Sequence, residues 1–275
     1  MLFFIADPIR GSRRWFVIGD FNIQPSVMLT PFYILIITTY ITSIRDYTLK
    51  RLFPLFLLVF IPVFLVFKQP DLGTALILFS TFGFIFFYSG IPVKKLVLLC
   101  LCAIPFVIAL PFVLKSYQLQ RLESFFNPHF DTSGVNYNSL QSSIAIGSGG
   151  FLGKGILFAS QSKLNFLPES HTDFIFATYV ETFGFIGGII LLTVLFLFLA
   201  HLLKEVYDSH SRFFKLVTIG VFGYIFIQVL FNIGMNLRIM QVVGVPLPFI
   251  SYGGSSILTL YMLLGLKDKL KELDS

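Results

Sequence analysis

Uncharged apolar runs long enough to cross a bilayer recur from one end of this chain to the other. They lie between Asp20 and Arg45, Asp71 and Lys94, Lys95 and Lys115, Lys215 and Arg238, and Arg238 and Lys267. A spanning helix needs about 20 such residues. The run between Arg51 and Lys68 is shorter, but basic side chains at both ends can snorkel to the headgroups. A seventh run, after Asp173, is broken once by Glu181. Membrane strands would alternate in polarity over about ten residues, whereas these runs are apolar on every face, and helices satisfy their own backbone in lipid. The expected fold is all-α, a polytopic membrane helix bundle of about seven spans forming a single domain over residues 1–275. Only 12% of the residues are charged, against roughly 25% in soluble domains, which excludes a soluble fold.

The short connections after the first, third and fifth spans and the C-terminal tail carry Arg45, Lys50, Arg51, Lys94, Lys95, Lys204, Arg212, Lys215, Lys267, Lys269 and Lys271. Basic residues concentrate on the cytoplasmic side, so the N-terminus is expected outside and the C-terminus inside. The net charge of +6 then reflects this bias with some attraction to anionic membrane lipid, not a nucleic-acid partner. Cys100 and Cys102, two apart in the fourth span, point about 200° apart on a helix and cannot pair with each other; they read as small buried hydrophobes. The apolar stretch before Asp7 is too short for a cleavable signal peptide.

Residues 115–171 interrupt the membrane pattern between the fourth and fifth spans and fall outside by alternation. Phe125, Phe126, Phe130, Tyr137, Phe151, Phe158 and Phe166 give this segment apolar surface, so it is expected to be a structured outer loop, a lid with short interfacial helices. Its stretch Gly147-Ser148-Gly149-Gly150 with Gly153 and Gly155 is either a phosphate-cradling backbone or simply a tight turn.

Ionisable residues in or beside a span are functional candidates by default. Asp71 and Asp173 both fall near the outer leaflet surface and are candidates for one outward-facing cavity, but each also stands where an Asp caps a helix N-terminus. Glu181 lies two turns deeper and either serves chemistry or pairs with a polar neighbour. Gln228, Asn232 and Asn236, spaced i, i+4, i+8, suit interhelical hydrogen bonds. His171 has no companion ligands at metal-site spacing. The outer cations Arg14, Lys115, Arg121, Lys154 and Lys163 together suit an anionic amphiphile.

Many of these residues lie in longer motifs. In order they are Arg14-Trp15, Gln24-Pro25-Ser26, Gln69-Pro70-Asp71-Leu72-Gly73-Thr74-Ala75, Tyr117-Gln118 with Arg121, and Gln141-Ser142-Ser143 running to Gly150. There follow Gly153-Lys154-Gly155, Phe166-Leu167-Pro168-Glu169, His171-Thr172-Asp173-Phe174, Asn232-Ile233-Gly234-Met235, Gly244-Val245-Pro246-Leu247-Pro248 and Ser251-Tyr252-Gly253-Gly254-Ser255. In content and order they resemble the SEDS family (shape, elongation, division and sporulation), most closely its RodA-like peptidoglycan glycosyltransferases, over essentially the whole chain. The resemblance implies an enzyme of the bacterial cytoplasmic (inner) membrane, active on its extracytoplasmic face. Such an enzyme polymerises lipid II, the undecaprenyl-pyrophosphate-linked disaccharide-pentapeptide, for elongation and rod shape. It implies Asp173 as the catalytic base and a class B penicillin-binding protein as partner. Asp71, Gln118, Arg121, Gln141, Lys154, Glu169, His171 and Ser251 are the candidate substrate-binding residues, with Arg121, Lys154 and the glycine-rich stretch nearest to the needs of a pyrophosphate leaving group. The resemblance implies no certain cofactor, and a divalent cation is left open.

Two departures from the family stand out. Its members have about ten spans, so about three N-terminal helices are expected upstream of Gln24; a true start further upstream, a fragment, or a short form working with a partner would each account for this. Val27 and Thr30 replace an acid and a base that the family carries one helical turn apart. Losing both avoids one unpaired buried charge. Against the glycosyltransferase reading stand a lipid II transporter or flippase and a non-catalytic scaffold for the penicillin-binding protein.

Overall fold

The computed structural model describes residues 14–18, 21–44, 46–69, 71–92, 94–95, 97, 101, 135–158 and 166–274. In chain order these form β1 (Phe16–Ile18), β2 (Phe21–Ile23), α1 (Pro25–Met28), α2 (Thr30–Ser43), α3 (Leu49–Lys68), α4 (Leu72–Tyr88), α5 (Val135–Gly149), α6 (Gly155–Phe158), α7 (Ile175–Asp208), α8 (Arg212–Asn236) and α9 (Gly254–Asp274). Two compact units result. Unit one comprises Met1–Leu110, Ala200–Ile227 and Gly254–Ser275; unit two comprises Pro111–Leu199 and Gln228–Gly253.

Among the described residues, four helical segments are long and apolar enough to cross a membrane: Pro25–Ser43, Leu49–Lys68, Ile175–Asp208 and Arg212–Asn236; the apolar α4 is shorter. They match the first, second, fifth and sixth expected spans, and α4 the third. Most of the fourth, including Cys100 and Cys102, lies outside the described residues. The seventh is corrected. The apolar run from Arg238 to Lys267 is not one helix, because α9 starts only at Gly254 and residues 237–253 are turn and extended chain. Pro246 and Pro248 deny that stretch helical hydrogen bonds and push their predecessors out of the helical region. Gly244 (φ 70°) and Phe249 (φ 66°) turn it further. The antiparallel pairing of β1 with β2, Phe16 opposite Ile23 and Ile18 opposite Phe21, is a second departure from the all-helical expectation.

In unit one, Ile34, Ile37 and Ile41 share one face of α2 and are fully buried. Gly220 and Gly223 let α8 approach closely. A Cβ at Gly220 would stand 2.8 Å from Ile34 Cγ2, and one at Gly223 2.7 Å from Phe84 Cδ2. Small residues at such contacts are how helices pack without a hydrophobic driving force in lipid. Phe84 meets Phe222 and Phe226 edge-on, each at 5.7 Å. Near the end of the unit where α7 finishes, Glu205 is buried between Lys267 Nζ (2.5 Å) and Lys271 Nζ (2.8 Å). The carboxylate's hydrogen bond holds the Lys271 ammonium above the usual lysine range, so this contribution is complete at neutral pH and lost only as pH climbs past the raised value.

Unit two has a core of Phe176, Val180, Leu191, Leu195 and Leu247, and a smaller cluster of Ala145, Leu167, Phe174 and Ala177. Helix α5 falls within the expected outer loop, and its Ser142 and Ala145 are fully buried, so this part of the loop is built into the unit's core.

Helix α7 is interrupted at Gly184 (φ 71°, ψ −171°). The break frees backbone amides that lipid cannot satisfy. The turn after α5 supplies the acceptors: Phe185 N donates to Gly150 O at 2.8 Å and Ile186 N to Phe151 O at 3.2 Å.

Candidate active site

The two expected acids occupy different surroundings. In unit one, Asp71 is the N-cap of α4 and accepts from Thr74 N at 3.1 Å and Thr74 Oγ1 at 2.9 Å. It also accepts from Gln24 Nε2 at 2.6 Å and lies 3.7 Å from Arg14 Nη1. Gln24 is anchored in turn, its N–H donating to Ser255 Oγ, which donates to Asn22 O. Asp71 thus does what an N-cap does and also ties the strand–helix junction to α4 and α9. Just after Gln24 in sequence, the Ser26, Thr30 and Tyr33 hydroxyls are buried with no hydrogen-bond partner among the described residues. The Thr30 hydroxyl therefore builds no hydrogen-bond network among the described residues.

In unit two, the turn carrying Asp173 is held by three successive carbonyls. His171 O accepts from Tyr252 N at 2.9 Å. Thr172 O accepts from Ser251 Oγ at 2.7 Å, and Ser251 Oγ in turn accepts from Leu247 N at 2.7 Å. Asp173 O accepts from Asn232 Nδ2 at 2.9 Å and Asn236 Nδ2 at 3.0 Å. The asparagines reach further: Asn232 also donates to Val245 O, and Asn236 Oδ1 accepts from Ala177 N and Ser142 Oγ. Glu169, which precedes this turn, has φ 53°, a left-handed conformation that costs a non-glycine residue about 1 kcal/mol or more; its carbonyl accepts from Thr172 N and Phe174 N. A Cβ at Gly244 would stand 3.4 Å from Asp173 Oδ2, so the glycine keeps a wall off the carboxylate. A carboxylate whose backbone is fixed this way is preorganised, the condition for proton transfer at a set position.

The glycine-rich stretch resolves in favour of a turn. A Cβ at Gly149 would fall 2.3 Å from Val180 O, and one at Gly153 2.2 Å from Thr182 O. The amides of Gly150 and Gly153 already donate to Gly147 O and Gly149 O. These glycines bring backbone against backbone beside the break in α7. Lys154 sits in this turn, its N–H on Glu181 O at 3.0 Å and its Nζ 3.6 Å from Glu181 Oε1, whose side chain is fully buried. Its ammonium thus balances a buried carboxylate. Lys154→Met is expected to cost about 1–2 kcal/mol by removing a cation that balances the buried Glu181 carboxylate, discounted for the partial exposure of the lysine, with the Lys154→Met/Glu181→Leu pair less destabilised than the single change. Thermal unfolding in detergent checks this, and a double variant no more stable than the single one would remove the pairing argument.

Of the remaining candidate site residues, His171 and Ser251 lie with Asp173 on or against one turn, with Glu169 just before it. Ser251 is committed to backbone rather than open to a ligand. His171 and Glu169 are exposed, and Gln141 is half-buried on α5. Gln118 and Arg121 lie outside the described residues. Among the described residues no three His, Cys, Asp or Glu gather as a metal site. Asn232 and Asn236 do more than the interhelical bonding their spacing suggests; the carbonyls they hold leave no signal in the sequence.

The family model of the cell cycle proteins FtsW, RodA and SpoVE matches residues 1–273. The chain is a SEDS protein. It is 37% identical over 253 residues to the peptidoglycan glycosyltransferase MrdB of Escherichia coli (strain K12), covering 91% of this chain and 68% of that one. Against MrdB of Helicobacter pylori (strain ATCC 700392 / 26695) the identity is 39% over 272 residues, 94% and 69% of the two chains. A probable peptidoglycan glycosyltransferase FtsW of Nitrosomonas europaea is 32% identical over 92% of this chain and 66% of its own. Among solved structures, a chain from a peptidoglycan synthase complex superposes with TM-score 0.76 at 28% identity, covering 97% of this chain and 75% of that one. Thermus thermophilus RodA follows with TM-score 0.65 at 25% identity, 97% and 72%. This SEDS chain is thus a RodA-like, multi-pass helical membrane protein.

Proposed function

We propose that this SEDS protein is a peptidoglycan glycosyltransferase that polymerises lipid II for cell elongation and rod shape. The observation that carries the reading is the turn bearing Asp173, held through the carbonyls of His171, Thr172 and Asp173. The names of its relatives, glycosyltransferases of peptidoglycan, support the same chemistry.

Asp173 acts as the general base. Its carboxylate takes the proton of the acceptor sugar's 4-hydroxyl as that oxygen attacks C1 of the donor. The C1–O bond to the pyrophosphate breaks, undecaprenyl pyrophosphate leaves with the electron pair, and the proton returns to solvent. General-base assistance of this kind is worth about 10²–10⁴-fold. Arg121 is the first choice to stabilise the leaving pyrophosphate, because Lys154 is engaged with Glu181. We read the starts of α3 and α8, beside their basic connections, as cytoplasmic by the positive-inside rule, and the reaction accordingly as extracytoplasmic. A class B penicillin-binding protein cross-links the product.

The test is in-gel detection of glycan strands from lipid II and purified protein, with and without the penicillin-binding protein. Strands are expected in both samples and more with the partner. Their absence from folded protein in both would leave a transporter or a scaffold.

A further inference from the structure

Two cations at one end of unit one are held, among the described residues, by neutral oxygens. Arg212 opens α8, and its Nη2 donates to the Tyr47 hydroxyl at 2.5 Å and to Ser89 O at 3.2 Å. The Tyr47 hydroxyl donates to the same carbonyl at 3.2 Å, and Lys95 Nζ donates to Tyr47 O. Among the described residues neither cation meets a carboxylate, whereas Arg51 has Asp46 at 3.7 Å and Lys267 and Lys271 share Glu205. Like charges drawn onto one tyrosine repel each other. Fixing them there with no carboxylate among the described residues favours an anion, and a guanidinium has five donors in a rigid fork suited to a phosphate.

The surroundings select the source of that phosphate. Tyr47 is followed by exposed Leu49 and Phe53 on α3, and Ser89 is preceded by exposed Phe87 and Tyr88 on α4. A cavity of about 420 Å³ lined by Tyr40, Ser43, Ile44 and Arg51 opens on the same α2–α3 connection. Cations at the level where apolar helix faces end fit an amphiphile with an anionic head and acyl tails, and basic pockets between membrane helices bind such headgroups.

We propose that Arg212, Lys95 and Tyr47 form a binding site for the phosphodiester of one anionic phospholipid of the surrounding leaflet. The site is independent of Asp173 and of the polymerase reading. Native mass spectrometry of protein released from nanodiscs of phosphatidylglycerol and phosphatidylcholine tests it. The wild type is expected to retain phosphatidylglycerol in preference to phosphatidylcholine, with retention falling about fivefold for each cation removed in Arg212→Gln and Lys95→Gln. Lys269→Gln, which removes an exposed lysine paired with Glu272, is expected to change nothing. Equal retention by wild type and the double variant overturns the site, and displacement of the lipid by millimolar inorganic phosphate overturns the lipid as its source. Should the double variant not fold, Tyr47→Phe removes only the hydroxyl that positions Arg212: lowered retention supports the site, unchanged retention overturns it.

Discussion

Replacing Asp173 by Asn lowers glycan-strand formation from lipid II by about 10²–10⁴-fold, the range for loss of a general base, and leaves the thermal unfolding midpoint where it was. The two halves of this expectation have separate grounds. Asn has nearly the shape of Asp but no basic oxygen at neutral pH, so proton removal fails. The contacts to the backbone oxygens of residues 171–173 help fix the turn and are kept by the substitution. A side-by-side measurement of polymer yield and unfolding decides it. Wild-type yield from Asp173→Asn would remove the residue from the chemistry; lost yield together with a lower midpoint would recast it as structural.

Gly153→Ala is expected to cost about 3 kcal/mol, among the largest penalties for a single methyl group in unit two. A left-handed residue with a Cβ costs about 1–2 kcal/mol, and forced overpacking adds about 1–3 kcal/mol. Gly153 has φ 80°, and its Cβ would fall 2.2 Å from Thr182 O and 2.6 Å from Gly184 N, both rigid backbone. Gly150 supplies the comparison. It also has a positive φ, 56°, but nothing stands within 4 Å of its Cβ position. Gly150→Ala should therefore carry the conformational cost alone, about 1 kcal/mol. Chemical or thermal unfolding of both variants in one detergent checks the difference; equal losses would mean that the close approach contributes nothing.

Hydropathy makes most of the membrane architecture legible, because a long uncharged run in lipid has few structures open to it. It fails at Arg238–Lys267, where the run is apolar throughout but Pro246 and Pro248 prevent a continuous helix. The proline signal is present there, and length outweighs it. The β1–β2 pairing is likewise announced by Gly19-Asp20 between two short apolar runs, a turn signal easily lost in a chain read for helices. At the site, the residue types are legible and their partners are not. Asn232 and Asn236 can be placed on one helix face by spacing alone, but that they hold Asp173 O depends on a turn 59 and 63 residues away. Lys154 reads in the sequence as a cation for the leaving group, since nothing local ties it to Glu181.

The interruption at Gly184 also bears on how the polypeptide enters the bilayer during synthesis. The stretch before it, Ile175–Phe183, is about 13 Å long as a helix and cannot cross alone; the stretch after it, Phe185–Asp208, is about 36 Å and can. The insertion machinery would thus recognise the second stretch as the crossing segment and leave the first, with Glu181, to be drawn in afterwards. The partners that make this affordable are translated earlier: Gly150 and Phe151 carry the waiting carbonyls, and Lys154 the compensating charge. Order along the gene then becomes order of assembly, with the receptor made before the segment it must receive.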